Sequence, residues 1–293
     1  MLKGVQQFLR AIALLCATTL CVAGDLSRAT VDLVLPADTP SLQALASGIQ
    51  QQADFAVTTY IAEPPPQDEA GDILLIISDA LLPLLDSPHY AARFAMYTNS
   101  ARFADYHNPS SSAVYADQPL SRQLRLINAL LGNRRSVIGM AWQHPQYLSQ
   151  YTALQTDYPT YRFTHQRVDG AQTERQINRL IQQCDVLLAT AESALYNANS
   201  IRSILLAAYR HQTLVIGPDK AFVTAGALAS VSSQPQHYID DIIDSIHHYL
   251  RTATVPPPRY PSQFTVSINP HVAESLGVAV RSGEQLLQQM GEN

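Results

Sequence analysis

The chain has 293 residues, 46% hydrophobic and 15% charged, a balance that excludes a disordered polypeptide. It exceeds the size at which a single core stops growing, so two domains are expected. The formal net charge of -5, with no Lys/Arg cluster, argues against a nucleic-acid partner, because neutralising phosphates needs a basic surface.

Residues 1–24 form a separate object. Lys3 and Arg10 supply a positive start, residues 11–22 an apolar core, and Val22-Ala23-Gly24 a run of small residues at the end. The apolar run falls short of the roughly 20 residues a membrane-spanning helix needs, so the expectation is a cleaved signal peptide and a periplasmic product. Cys16 and Cys21 each follow a leucine where a lipid-attachment site wants a small residue, which sets a lipoprotein aside. Cleavage leaves Cys184 alone, so no internal disulfide is expected. Cys184 continues the apolar stripe of Ile177, Leu180 and Ile181, the setting of a buried structural thiol.

The remaining chain alternates strand and helix. Residues 30–35 read as a strand closed by Pro36, and Thr39 with Pro40 opens a helix whose stripe is Leu42, Leu45, Ala46 and Ile49. Strands follow at 55–61 and at 72–78, the latter apolar throughout and hence central. A short helix spans 80–85, a fourth strand 93–98, and residues 106–118 read as loop with a short strand at 113–115. The spacing predicts a helix over 120–131, ended by Gly132-Asn133.

A second series opens with a strand at 136–142, a helix at 145–154 and a strand at 161–168. Thr173 and Gln176 match a capping box for a helix that carries Cys184. Residues 184–231, around which the chain is organised, read as strand, loop, helix, strand, loop, helix. Ile201, Ile204, Leu205 and Ala208 stripe the first of these helices, and residues 213–217 form the strand after it. Ile239, Ile242, Ile243, Ile246 and Leu250 stripe a long helix, with Asp240, Asp241 and Asp244 expected on its solvent side. Pro256-Pro257-Pro258 is an extended connector, residues 264–268 a last strand, and a terminal helix begins near Glu284.

Tandem β-α units predict parallel strands with right-handed crossovers, and ligands collect at the carboxyl ends of such strands. The expected fold class is therefore α/β, two Rossmann-like lobes with parallel sheets. The lobes are expected at 29–131 plus 236–254 and at 132–235 plus 262–293, with a cleft between them.

Enzyme signatures are absent: no G-x-S-x-G, no phosphate loop, no G-x-G-x-x-G, no C-x-x-C and no H-E-x-x-H. His247 and His248 are adjacent on a helix and point about 100° apart, so they cannot share a metal. The expectation is a binding protein without cofactor or metal. Trp142, followed by Gln143, offers a stacking wall for an apolar or aromatic ligand, or a packing residue at the strand end. Thr190 ends the next central strand. Tyr196-Asn197 lies where an amide and free backbone N–H groups could meet a carboxylate, or where Asn197 or Asn199 caps the following helix. Asp219 could accept from an ammonium or make the turn. Ser78-Asp79 and Asn99-Ser100 are the first-lobe equivalents, and Glu192 and Lys220 read as solvated rim charges.

Residues 113–131, 195–210, 221–229, 260–269 and 273–277 together resemble, in order, the ABC-transporter substrate-binding proteins of the uncharacterised, or tryptophan/tyrosine-type, periplasmic component. The resemblance implies a type I periplasmic-binding-protein fold: two lobes, three crossovers, and a ligand held by hinge closure. It carries Tyr196, Asn197 and Asp219 over as cleft residues, while residues 78–80 and 97–100 depart from the family's pattern. The function expected is capture of a small ligand, an amino acid or aromatic solute among the candidates, by a monomer that partners an inner-membrane ABC permease. The alternatives are a ligand sensor read by a membrane partner and, third, a cleft hydrolase.

Overall fold

A computed structural model describes residues 29–106, 109–132 and 134–291. The signal-peptide reading, with Cys16 and Cys21, lies outside the described residues, as does Asn133.

The first half builds a five-stranded parallel sheet from β1 (Thr30–Leu35), β2 (Ala56–Ile61), β3 (Ile73–Ile77), β4 (Ala92–Thr98) and β5 (Ser111–Tyr115), in the order β2-β1-β3-β4-β5. Alternation sorts its side chains. Leu33, Leu35, Leu75 and Ile77 face one core, formed with α1 (Pro40–Gln52). Val34, Leu74 and Ile76 face the other, formed with a 3-10 helix at Asp79–Asp86 and with Phe103 of α2 (Ser100–Asp105). Strands covered on both faces must be apolar throughout, and β3 is.

The second sheet runs β11-β10-β9-β8-β6-β7. Its strands are β6 (Val137–Trp142), β7 (Arg162–Arg167), β8 (Val186–Leu188), β9 (Leu214–Gly217), β10 (Ala229–Ser232) and β11 (Thr265–Ile268), which is antiparallel to β10. One face carries α3 (Leu120–Leu131) and α4 (Pro145–Ala153), with α9 (Pro270–Ser275) and α10 (Gly283–Gln289) completing the layer. The other carries α5 (Thr173–Ile181), α6 (Ile201–Arg210) and part of α7 (Lys220–Ala225). Both sheets thus begin with the same order, the second strand outside the first, and each has a switch point beside its first strand.

Several expectations differ from what is found. Helix α3 has the predicted bounds but packs on the second sheet, not the first: Leu120, Leu124, Leu126 and Ile127 share a core with Ile138 and Met140. The first lobe therefore ends before residue 120. Helix α8 (Pro235–Thr252) returns to the first, where Tyr238, Ile239, Ile242 and Ile246 meet Leu33 and Phe94. The chain passes between lobes three times, and the crossings are tied together: Gln118 Nε2 donates to Ser233 Oγ at 2.9 Å, and Ser233 Oγ to the Gln263 carbonyl at 2.7 Å.

Asp241 is not on the solvent side of α8. It is buried, pairs with Arg259 at 3.1 Å and accepts from Ser262 N at 2.7 Å, pinning the return connector. The capping box at Thr173 does not form either; Thr173 is the first helical residue and its hydroxyl donates to the Gly170 carbonyl. Cys184 follows α5 instead of lying on it, and burial pushes its thiol up to about 12. Gly139 faces it: a Cβ there would lie 2.7 Å from Cys184 Sγ and 2.9 Å from its Cβ. Gly139→Ala is expected to cost about 1–3 kcal/mol of stability, read by denaturant unfolding.

Candidate functional site

The carboxyl ends of β3 and β4 face those of β6 and β8 across a cavity of about 310 Å³. That volume suits a small molecule. From the first lobe it is lined by Asp79, Asn99, Ala101 and Arg102; from the second by Gln143, His144, Tyr147 and the loop 191–194.

Local backbone features aim the first-lobe groups. Ser78 follows β3 at φ 98, ψ 150, a conformation rare outside glycine, and places Asp79 at the cavity. Tyr97 takes φ 59 where the β4–β5 register shifts between Met96 and Thr98, so a bulge lies two residues before Asn99. Tyr97 is held there by stacking on Tyr238, ring centroids 4.2 Å apart. Asp79 Oδ1 accepts from Asn99 N at 2.8 Å, and Arg102 Nε stands 3.8 Å from Oδ2. Burial raises the Asp79 carboxyl above its usual range, while the Asn99 N–H and the Arg102 charge pull it down.

Asn99 spans the cleft. Its Oδ1 caps α2 by accepting from Ala101 N and Arg102 N, while Nδ2 donates to Tyr147 Oη at 2.7 Å and to the Ala191 carbonyl at 3.1 Å. Tyr147 is almost wholly buried, and burial raises its hydroxyl well above the usual range. His144 Nδ1 accepts from Gln146 N, so the neutral ring carries its proton on Nε2, 4.0 Å from Asp105.

Glu192 is not a solvated rim charge. Its Oε1 accepts from Gln143 N at 2.9 Å and His144 N at 2.7 Å, and its Oε2 from Thr190 Oγ1 at 2.8 Å. One carboxylate thereby locks the loops after β6 and β8 into a single wall. Around it Ala191, Ser193 and Ala194 present a polypeptide stretch to the cavity.

Of the residues singled out in the sequence, Asp79, Asn99 and Gln143 line the cavity. The others take supporting places. Ser78 Oγ accepts from Ala80 N, Ser100 is buried behind Asn99, and Thr190 holds Glu192. Trp142 packs in the second-lobe core with Ile138 and Met140, its indole N–H directed to His165 Nδ1 at 3.3 Å. Tyr196 is buried edge-on against Phe222. Asn197 accepts from Asn199 N and Ser200 N, an Asx turn ahead of α6, and Asp219 caps α7 through Phe222 N. Trp142→Phe is accordingly expected to leave solute affinity within about twofold, by calorimetric titration, because its ring is outside the cavity wall.

Arg102, His144, Tyr147 and Glu192 were not foreseen as cavity residues. Pro145 after a strand end is the available signal for His144 and Tyr147, since a helix opening there must aim its first turn at the strand tips. Among the described residues no group of three or more His, Cys, Asp or Glu could hold a metal ion, and no helix is long and apolar enough to cross a membrane.

Two doubly wound lobes, three crossovers and a cavity between facing strand ends define the type I periplasmic-binding-protein fold. Solved structures share it. A ligand-free, open substrate-binding protein with adhesive properties from Clostridium difficile aligns over 88% of this chain and 97% of its own, TM-score 0.67, 12% identity. The ABC domain in complex with L-Trp from Streptococcus pneumoniae aligns over 89% and 99%, TM-score 0.59, 17% identity. A periplasmic ribose ABC transporter protein from Conexibacter woesei aligns over 91% and 98%, TM-score 0.53, 14% identity. At these identities the likeness establishes the fold. No protein-family model and no curated protein matches the chain.

Proposed function

We propose that the chain is an exported solute-binding protein that traps a small polar molecule between its lobes and delivers it to an inner-membrane ABC permease. The observation that carries this reading is the cavity itself: hydrogen-bonding side chains from both lobes converge on one space at the facing strand ends. Asp79 and Arg102 offer charge of both signs on one wall, while Gln143 and His144 stand on the other. The structural likeness to an L-Trp-bound ABC domain and to a ribose ABC transporter protein supports a solute as cargo and leaves its class open. Hinge closure follows if the solute contacts both walls, because only then does it bind the closed state more tightly than the open one.

The test is a thermal-shift panel of amino acids, sugars and polyols, run beside assays for product. At 100 times its Kd a bound solute adds about 2.7 kcal/mol, a shift of several degrees. Stabilisation without turnover is the expected result. Turnover of the stabilising solute would replace this reading with an enzymatic one.

A further inference from the structure

Behind the cavity lies a polar hub that the trapping of a solute does not itself require. Asp117, on the first crossover between β5 and α3, is 4% exposed, with no basic side chain bonded to it among the described residues. Its Oδ1 accepts from Ser100 N and its Oδ2 from Ser100 Oγ, both at 2.7 Å. Ser100 Oγ also receives Gln146 Nε2 from α4 of the second lobe and Tyr260 Oη from the third crossing, each at 3.2 Å. Gln150 Nε2 donates in turn to Tyr260 Oη at 3.1 Å.

The directions of these bonds are forced. Once Asp117 is ionised its carboxylate can only accept, so at neutral pH and above the Ser100 hydrogen must point at it. Both lone pairs of Ser100 Oγ are then free for Gln146 and Tyr260, and every group in the hub is satisfied. Ser100 adjoins Asn99, and Gln146 adjoins Tyr147, so the bond from Gln146 to Ser100 lies next to that from Asn99 to Tyr147. Together they join the lobes at two successive residues on each side.

We propose that Asp117 is a positioning residue for cleft closure: by fixing the direction of the Ser100 hydroxyl, it lets Gln146 of the second lobe clasp the first. This rests on the reading of the cleft as a solute trap that opens and closes. With asparagine at 117, the new amide N–H₂ faces Ser100 Oγ, and three donors compete for two lone pairs. The contribution of Gln146 therefore depends on a residue it does not touch.

The experiment is a double-mutant cycle on the closed-to-open ratio of ligand-free protein, read by single-molecule fluorescence between dyes on unnatural amino acids at the exposed positions Gln51 and Arg175. Gln146→Leu is expected to lower that ratio about two- to tenfold in the otherwise native chain, the worth of one neutral hydrogen bond. In the Asp117→Asn background the same change is expected to matter less than twofold. Ser100→Ala, which keeps its N–H for Asp117, serves as a second route: it too should abolish the effect of Gln146→Leu. Equal effects of Gln146→Leu in all backgrounds, or none in any, would overturn the proposal. A single interdye distance in every variant would overturn both the clasp and the trapping reading, whereas two distances without coupling would sink the clasp alone.

Discussion

Glu192→Leu is expected to weaken binding of any solute held in the cavity by at least about 100-fold. The substitution is close to isosteric, so its effect comes from chemistry and not from volume. It strips Gln143 N, His144 N and the Thr190 hydroxyl of their common acceptor at once. A donor buried without a partner costs about 1–3 kcal/mol, so the three losses together, about 3–9 kcal/mol, exceed the roughly 2.7 kcal/mol that correspond to 100-fold. In an open cleft water can relieve these donors; closing over a solute removes that water, so the cost falls on binding. Glu192→Gln keeps an acceptor for both backbone N–H groups and is expected to lose about tenfold or less. Calorimetric titration of both variants, with melting curves to show that they fold, checks the order. Unchanged affinity in the leucine variant would mean that the solute sits elsewhere.

The second large effect is on stability against pH. Burial pushes the Asp117 carboxyl up to about 6, and the two bonds from Ser100 only partly offset it. Asp79 and the hydroxyls of Tyr115, Tyr147, Tyr238 and Tyr260 lie within its electrostatic reach. The folded protein thus holds this proton more tightly than the unfolded chain. Its contribution is fully present below the unfolded pKa, about 4, and is lost as pH rises through about 6. Asparagine has no proton to gain. Between pH 7.5 and pH 5 the native protein is expected to gain about 1 kcal/mol relative to Asp117→Asn, and about 2 kcal/mol by pH 4. Denaturant unfolding of the pair at matched pH measures the difference; a difference that stays constant with pH would contradict it.

Much of the scaffold could be read because buried parallel strands must be apolar on both faces. Residues 73–77 leave no other assignment, and the stripe of α3 marks its ends to the residue. Periodicity says which face of a helix is buried but not against which sheet, so the pattern of α3 does not show that it packs on the second sheet and not the first. Strand β10, with the sequence Ala-Ser-Val-Ser, has too few branched residues to stand out, and α9 is too short to show a period. At the site, strand ends found Asp79, Asn99 and Gln143, since the β-α rule needs only the position of each turn. Trp142 shares strand parity with Ile138 and Met140, a signal that would have placed it in the core. Glu192 gave no such signal. Its partners are backbone amides some 48 residues earlier in the chain, and no side-chain pattern records them. Ser100, expected to meet the ligand from its position at a strand end, is instead buried behind Asn99, where its contacts depend on Gln146 and Tyr260 arriving from other elements.

The most direct measurement is a crystal structure of the protein grown with whichever solute stabilises it in the thermal-shift panel. Density for that molecule between Asp79 and Arg102 on one side and Gln143 and His144 on the other is the result predicted here. The same molecule bound instead in the open groove beside Lys220 and Asn269, with the cleft unoccupied, would contradict it.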